Sequence, residues 1–169
     1  NKEFMMDVNF EYSKEIFSIA KANKAKFIYA SSASVYGLNE NSEEISSNEA
    51  PLNIYAESKL LFDKYIMSQD YPAVGLRYFN VYGLGEENKG KMASMAYKMN
   101  QEYIQSKKIS LFKGTGGYGN GEQKRDFIYI EDVVSINMFF MKSDFHDIYN
   151  VGTGEAKPFN EIANNIFKY

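Results

Sequence analysis

Short apolar runs alternate with longer amphipathic stretches along this chain of 169 residues, and this alternation constrains the fold most strongly. The runs at 26–30, 73–78 and 148–151 have the length and content of buried strands. Two further short strands are expected at 109–112 and 125–129. Strands that alternate with helices predict βαβ crossovers. The predicted fold class is therefore α/β, with a parallel sheet covered by helices on both faces.

Helical periodicity, with apolar residues every three to four positions, fills most of the chain between these runs. Helices are expected at about 3–23, across 55–66, at 92–106 and 131–141, and at the end of the chain with Pro158 in the first turn. The apolar stripe of the third helix is expected in the core; it comprises Met92, Met95, Ala96, Met99 and Tyr103. The Gly-rich segment 114–121 fits G-x-G-x-x-G but leads into a strand, so it is interpreted as a flexible loop and not as a dinucleotide fingerprint.

Composition excludes several kinds of site. The chain has no cysteine, so disulfides and thiolate metal sites are excluded and no metal site is expected. The formal net charge is -3 and no basic run stands out, which argues against a nucleic-acid partner. No apolar run reaches membrane-spanning length, so no membrane partner is expected. Asn1 opens the chain in mid-pattern where Met would stand, and we expect that residues precede it.

Tyr55 and Lys59 form a candidate acid–base pair. They lie four residues apart in a predicted helix, a spacing that places both side chains on one helical face. A free phenol is a poor base near neutral pH, and a lysine cation beside it favours the phenolate. On these residues alone, the alternative is a surface tyrosine next to a solvated lysine.

A second candidate is the hydroxyl-rich segment 31–37, which directly follows the first predicted strand. Ligands of open α/β sheets bind outside the carboxyl ends of the strands, which is where these serines are expected. A plain Ser-rich turn is the alternative interpretation.

Five motifs in this order resemble the extended short-chain dehydrogenase/reductases: SSASVYG at 31–37, Tyr55-x-x-x-Lys59, LRYFNVYG at 76–83, RDFIY at 125–129 and YNVGTG at 149–154. The resemblance implies a Rossmann-like doubly wound parallel sheet that lacks its N-terminal half, with a smaller substrate-binding region. It places the second half of the dinucleotide-binding domain at 1–84, the substrate-binding region at 85–130, a return to the first domain at 131–155 and the start of a C-terminal substrate region at 156–169.

Finer matches at 51–55, 89–94 and 111–115 resemble the branch of this family that epimerises ADP-heptose at C6. By position, the resemblance implies that the catalytic residues are Ser32, Tyr55 and Lys89. It implies cofactor contacts from Lys59, Val81 and Lys89. It implies substrate contacts from Ser32, Asn80, Lys91, Lys98, Phe112, Lys113, Gly114, Thr115 and Arg125. Lys91 and Lys98 depart from the residues usual in that branch.

The activity that the resemblance implies is transient oxidation of an ADP-heptose at C6 with bound NADP, or with NAD, for synthesis of lipopolysaccharide core heptose. The implied partner is the ADP-sugar, and a cytoplasmic homo-oligomer is expected. Two alternatives stay open. A nucleotide-sugar 4-epimerase or keto-sugar reductase would need Ser32, Tyr55 and Lys59 but not Lys89. A non-catalytic dinucleotide-sensing protein on the same fold would not need these side chains.

Overall fold

Two units make up the part of the chain that the computed structural model describes, residues 2–39 and 41–168. The first comprises the described residues up to Tyr78 together with Ile136–Val151. The second comprises Phe79–Ser135 together with the described residues from Gly152 onwards. Each unit has its own three-stranded sheet.

The sheet of the first unit is parallel throughout, as the alternation predicts. Its strands are β1 (Phe27–Ser32), β2 (Ala73–Tyr78) and β5 (Asp147–Val151), in the order β1-β2-β5. Ser32 pairs with Tyr78, which pairs with Val151, so the carboxyl ends of all three strands are level. The hydroxyl-rich segment therefore begins at the ligand-binding edge of an open sheet.

Helices of the first unit begin with a continuous helical stretch: α1 (Lys2–Met6), a π-helical segment (Asp7–Glu11) and α2 (Tyr12–Ala22). This confirms the helix predicted at 3–23. The next helix, α3, is Ile54–Met67, and the Asn53 side chain accepts a hydrogen bond from the Ala56 N–H at 2.9 Å to cap it.

An aromatic cluster packs these helices on β1. Phe17 of α2 is 1% exposed and meets Phe27 of β1 edge to face, with ring centroids 5.2 Å apart. Phe62 of α3 meets Tyr29 of β1 in the same way at 4.8 Å. Such contacts add to the hydrophobic gain from burying these rings. The cluster fixes α2 and α3 against one face of the sheet.

The sheet of the second unit contains β3 (Asn80–Tyr82), β4 (Lys124–Tyr129) and β6 (Ala156–Pro158). β3 runs parallel to β4, and β6 runs antiparallel to it. The helices α4 (Met95–Ser106) and α6 (Phe159–Lys168) pack together in this unit, and α5 (Ile130–Lys142) contributes residues to both units. Short 3₁₀ turns occur at Ala33–Tyr36, Ser46–Asn48 and Gly90–Met92. None of the described helices is both long and apolar enough to cross a membrane.

Three sequence predictions are wrong in this region. Residues 109–112 are not a strand, because the N–H of Ser110 bonds to the Glu102 carboxylate at 2.9 Å and so is not available to a ladder. Met92 is 86% exposed and not core, because it lies in a 3₁₀ turn before Ser94 caps α4. Pro158 ends β6, and α6 begins one residue later.

Candidate active site

Ser32 stands where β1 ends and a 3₁₀ turn begins. Its Oγ accepts hydrogen bonds from the N–H of Ser34 at 3.2 Å and from the Ser34 hydroxyl at 2.9 Å. A serine hydroxyl has two acceptor positions and one donor. Both acceptor positions are thus engaged within the turn, and the O–H remains available to donate to a ligand oxygen.

Tyr55 and Lys59 share one face of α3, as their spacing predicts. The Lys59 ammonium lies 5.9 Å from the centroid of the Tyr55 ring, and Tyr55 is 40% exposed. Lys59 Nζ donates to the carbonyl oxygen of Ala30 at 2.9 Å, which ties α3 to β1 two residues before Ser32. Burial lowers the pKa of Lys59, and the nearby Asp63 carboxylate offsets part of that effect.

Arg77 of β2 forms the centre of a buried charged network that reaches Asp63 on the same helix as this pair. It is 1% exposed and donates to Asp63 Oδ2 at 3.0 Å, Glu49 Oε1 at 2.6 Å and Tyr36 Oη at 3.0 Å. Burial alone would lower the pKa of Arg77, but the bonds to Tyr36 and Glu49 and the charge of Asp63 raise it overall. The guanidinium thus stays charged and uses its fork to join three separate chain segments.

Asp63 extends the network to β1. Its carboxylate accepts hydrogen bonds from the hydroxyls of Ser31 and Tyr29, both at 2.9 Å. Burial raises the pKa of Asp63, while Arg77 and these hydroxyls act in the opposite direction. Asp63 lies one helical turn after Lys59, and Ser31 adjoins Ser32, so the network holds the segments that carry the candidate residues.

A cavity of about 220 Å³ in the second unit brings together Asn80, Val81 and Lys89, three of the predicted site residues. Asn80 Nδ2 donates to the carbonyl oxygen of Asp126 at 3.1 Å. Lys89 is exposed and interacts with the charge of Glu86. Within residues 2–39 and 41–168, no group accepts a hydrogen bond from its ammonium. A larger groove of about 500 Å³, between α4 and α6, is lined by none of the predicted site residues.

The predicted substrate segment 112–115 adjoins this 220 Å³ cavity. Phe112 packs on Phe159, a residue of the cavity wall, with ring centroids 4.9 Å apart. The backbone of the segment is held by the Gly-rich loop and by Gln123, which follows it. The carbonyl of Lys113 accepts from Gln123, the N–H of Gly114 donates to Asn120, and the carbonyl of Thr115 accepts from the N–H of Tyr118. Hydrogen bonds thus join residues 118–123 to the segment 112–115.

Asn80 is the one predicted substrate residue in the lining of that cavity among the described residues. Apart from Ser32 and the adjoining segment 112–115, those outside it are Lys91, Lys98 and Arg125. Lys98 Nζ donates to the carbonyl of Lys91 at 2.7 Å. Arg125 is exposed and donates to the carbonyl of Lys124. Its neighbour Asp126 accepts from Thr153 and Gly154 and so holds the turn after β5.

Sequence reasoning missed the buried ions, among them Arg77 with its partner Asp63, both 1% exposed, and Glu86, which is 2% exposed. The charge of Arg77 inside the apolar run 73–78 was the available signal, because a charge in a buried strand needs a partner. Glu86 had no comparable signal, since it stands in a polar loop next to Glu87.

The sequence model of the NAD dependent epimerase/dehydratase family matches residues 1–152. Solved structures of longer relatives are similar over most of this chain. The crystal structure of the Helicobacter pylori ADP-L-glycero-D-manno-heptose-6-epimerase matches 100% of this chain and 53% of its own, with 41% identity and a TM-score of 0.92.

Two other structures match at lower identity. The UDP-N-acetylglucosamine 4-epimerase of Methanobrevibacter ruminantium, in complex with UDP-N-acetylmuramic acid, shares 30% identity over 94% of this chain and 51% of its own, with a TM-score of 0.80. The Thermus thermophilus UDP-glucose 4-epimerase in complex with NAD shares 27% identity over 85% and 47%, with a TM-score of 0.70. The chain spans about half the length of these relatives.

Proposed function

Because this chain belongs to the NAD dependent epimerase/dehydratase family, we propose that the complete protein is a sugar-nucleotide epimerase that uses a nicotinamide cofactor. One observation carries the proposal: Lys59 lies beside Tyr55 and is bonded to β1 two residues before Ser32. Oxidation of an alcohol needs a base for the hydroxyl proton and a donor for the reacting oxygen. A phenol, an ammonium and a free hydroxyl donor meet those needs.

The finer proposal is interconversion of ADP-D-glycero-D-manno-heptose and ADP-L-glycero-D-manno-heptose at C6, with NADP, for lipopolysaccharide core heptose. It is supported by 41% identity to the Helicobacter pylori heptose epimerase. NAD is the alternative cofactor, and the NAD complex of the Thermus thermophilus relative supports it. A bound nicotinamide supplies reversible hydride transfer, while the protein supplies position and proton transfer.

Tyr55 takes the proton of the C6 hydroxyl, and the free O–H of Ser32 donates to the same oxygen. Lys59 fits a cofactor-binding role, because an ammonium has three donors and Ala30 occupies one of them. The other donors can hold ribose hydroxyls while the cation favours the phenolate form of Tyr55. Val81, in the wall of the 220 Å³ cavity, is the other proposed cofactor contact.

Lys89 is proposed as a second acid–base group with a cofactor contact. Inversion at C6 requires that the ketone turn over within the site. Its oxygen then points in a different direction and needs a second proton donor there. The Lys89 ammonium has no hydrogen-bond acceptor within residues 2–39 and 41–168, so all three of its donors can serve a ligand.

Further contacts are proposed for the sugar nucleotide. Asn80 and the segment 112–115 at the same cavity would contact the substrate, as would Lys91 and Lys98. The Arg125 guanidinium has a fork suited to diphosphate.

A nucleotide-sugar 4-epimerase or a keto-sugar reductase is the second candidate. The 30% identity to the Methanobrevibacter ruminantium 4-epimerase favours it. Such an enzyme uses the group around Tyr55 in both directions and has no need of Lys89, so the two candidates predict different effects of a Lys89 substitution. A dinucleotide-sensing protein would keep its dinucleotide binding when the Tyr55 hydroxyl is removed.

Two substitutions in the complete protein test the proposal. Tyr55→Phe is expected to lower turnover of ADP-heptose by about 10²–10⁴-fold, the usual contribution of a general acid–base group, with nicotinamide binding retained. Lys89→Met is expected to nearly abolish epimerisation, while one of the two C6 epimers still reduces bound nicotinamide in a single turnover. Epimerisation is followed by product analysis, and nicotinamide reduction by absorbance.

Tyr65→Phe is the matched control for the phenol, because Tyr65 lies on the same helix within the aromatic cluster. Turnover of Tyr55→Phe within twofold of the parent would remove Tyr55 from the chemistry. Normal C6 epimerisation by Lys89→Met would refute the two-base assignment. If the parent protein acts on neither ADP-heptose, the proposed substrate is wrong and only membership of the wider family stands.

A further inference from the structure

Lys89 lies in a loop that hydrophobic packing holds only next to α4. The loop runs from the end of β3 at Tyr82 to the start of α4 at Met95. Its large apolar side chains Leu84 and Met92 are 81% and 86% exposed, and the small side chain of Ala93, next to the start of α4, is buried. Something other than burial of apolar surface must therefore fix the backbone around Lys89.

The Glu86 carboxylate supplies that constraint. It is 2% exposed, and its Oε1 accepts from the N–H of Gly83 at 3.1 Å and from the hydroxyl of Ser94 at 2.8 Å. Its Oε2 accepts from the N–H of Ser94 at 2.5 Å. One carboxylate thus joins the two ends of the loop. Hydrogen bonds to a charged group are stronger than those between neutral groups.

The same residue fixes the turn that carries Lys89. The N–H of Lys89 donates to the carbonyl of Glu86 at 3.0 Å, and the N–H of Met92 donates to the carbonyl of Lys89 at 3.0 Å. Ser94 transmits the constraint to α4, because its Oγ caps that helix by accepting from the N–H of Tyr97 at 3.1 Å. Glu86 and Lys89 both line the 220 Å³ cavity.

We propose that Glu86 is a positioning residue for Lys89: its buried carboxylate closes the loop 83–94 and so sets where the Lys89 ammonium stands in the cavity. Glu86 does not itself transfer protons, because both carboxylate oxygens are engaged with the loop ends. Although burial would raise the pKa of Glu86, the bonds from Ser94 and Gly83 and the charge of Lys89 hold it below its ordinary value, which keeps the carboxylate ionised. This inference rests on the proposed function only for the reaction in which Lys89 takes part, and closure of the loop by Glu86 does not depend on that function.

Glu86→Gln is the sharpest perturbation, because the amide has nearly the shape of the carboxylate but only one acceptor oxygen. In either orientation its NH₂ group faces a backbone N–H, that of Ser94 or that of Gly83. Two donors that face each other cannot bond, so the loop loses one of the two backbone hydrogen bonds that close it. Glu87→Gln is the matched control, since Glu87 is the next residue and is exposed.

The first measurement is hydrogen exchange of the complete protein, which does not depend on activity. Glu86→Gln is expected to accelerate exchange across 83–94, and Glu87→Gln to leave it unchanged. Ser94→Ala removes the hydroxyl bond to Glu86 together with the cap of α4, and it is expected to give a smaller acceleration in the same segment. If Glu86→Gln does not fold, Ser94→Ala tests loop closure in its place. Unchanged exchange in both Glu86→Gln and Ser94→Ala would overturn loop closure.

The second measurement is turnover. Glu86→Gln is expected to lower epimerisation by about 10²-fold, the scale of an ångström of misplacement, and to spare the half-reaction that survives in Lys89→Met. The double variant with Lys89→Met should be no slower than Lys89→Met alone, because the two residues act as a unit. Multiplied effects, or equal loss of both half-reactions, would make Glu86 merely structural. If the parent does not epimerise an ADP-heptose, the proposed function fails, and hydrogen exchange still decides the loop.

Discussion

Arg77→Met tests how much the buried network stabilises the first unit. The guanidinium donates to Asp63, Glu49 and Tyr36 at 3.0, 2.6 and 3.0 Å, and methionine offers no donor in their place. The side chains of Asp63 and Glu49 are 1% and 10% exposed, so neither carboxylate can regain full hydration. The substitution therefore removes the buried cation from two carboxylates at a site that water hardly reaches, and Glu49 keeps only the exposed Lys64.

The size of the effect follows from burial. Removing one partner of a buried ion pair costs about 3–5 kcal/mol, whereas an exposed pair contributes about 0–1 kcal/mol. Lys64 provides the control, because its ammonium lies 3.7 Å from the same Glu49 but its side chain is 60% exposed. With a urea m-value of about 3 kcal/mol/M, Arg77→Met should lower the unfolding midpoint by about 1–2 M and Lys64→Met by about 0.3 M at most.

Urea unfolding of the complete protein at two pH values is the assay. Burial already raises the pKa of Asp63, and without Arg77 this carboxyl takes up a proton more readily. A folded-state pKa above the unfolded value gives stability at low pH that is lost as pH rises. The deficit of Arg77→Met should therefore be smaller at pH 5 than at pH 8. A midpoint no lower than that of Lys64→Met, or a deficit independent of pH, would refute this account.

Two further predictions concern Lys59 and Glu86. Lys59→Met is expected to abolish nicotinamide binding, which ligand titration checks. It is also expected to raise the thermal unfolding midpoint. Burial lowers the pKa of Lys59, so its ammonium form destabilises the fold at neutral pH. In the parent, hydrogen exchange across 83–94, corrected for the intrinsic effect of pH, should accelerate below about pH 4.3, the ordinary glutamate pKa. The pKa of Glu86 lies lower in the folded protein, so the stability from its bonds is present above that value and is lost as pH falls through the folded pKa; Glu86→Gln should show no such acid dependence.

The sequence predicted the parallel sheet of the first unit because β1, β2 and β5 are five or six residues long and lie between long helices. The strands it missed, β3 and β6, have three residues each, too few to show a period. The strand it predicted wrongly, 109–112, has the composition of a strand, but the Glu102 side chain bonds the backbone of Ser110. Such a contact depends on where α4 ends in space, which local composition does not contain.

The same limit decides which parts of the candidate site the sequence predicted. The Tyr55 and Lys59 pair follows from helical geometry over four residues, so the sequence predicted that the two side chains share a face. The partners of Arg77 lie 14, 28 and 41 residues away along the chain, and no local period reports such contacts. The catalytic roles of these residues stay predictions until the substitutions above are made.

Arg77 and Glu86 meet the same physical requirement. A residue that is proposed to act on a ligand, such as Tyr55 or Lys89, has to be exposed, so packing of its own side chain cannot hold it. Hydrophobic contact is non-directional, whereas hydrogen bonds to a buried charge fix both distance and angle. Arg77 and Glu86 fix the segments that carry those exposed residues, at the expense of desolvating a charge. Stability and positioning are therefore separable: apolar residues that fill the same volume can restore the free energy of unfolding without restoring turnover.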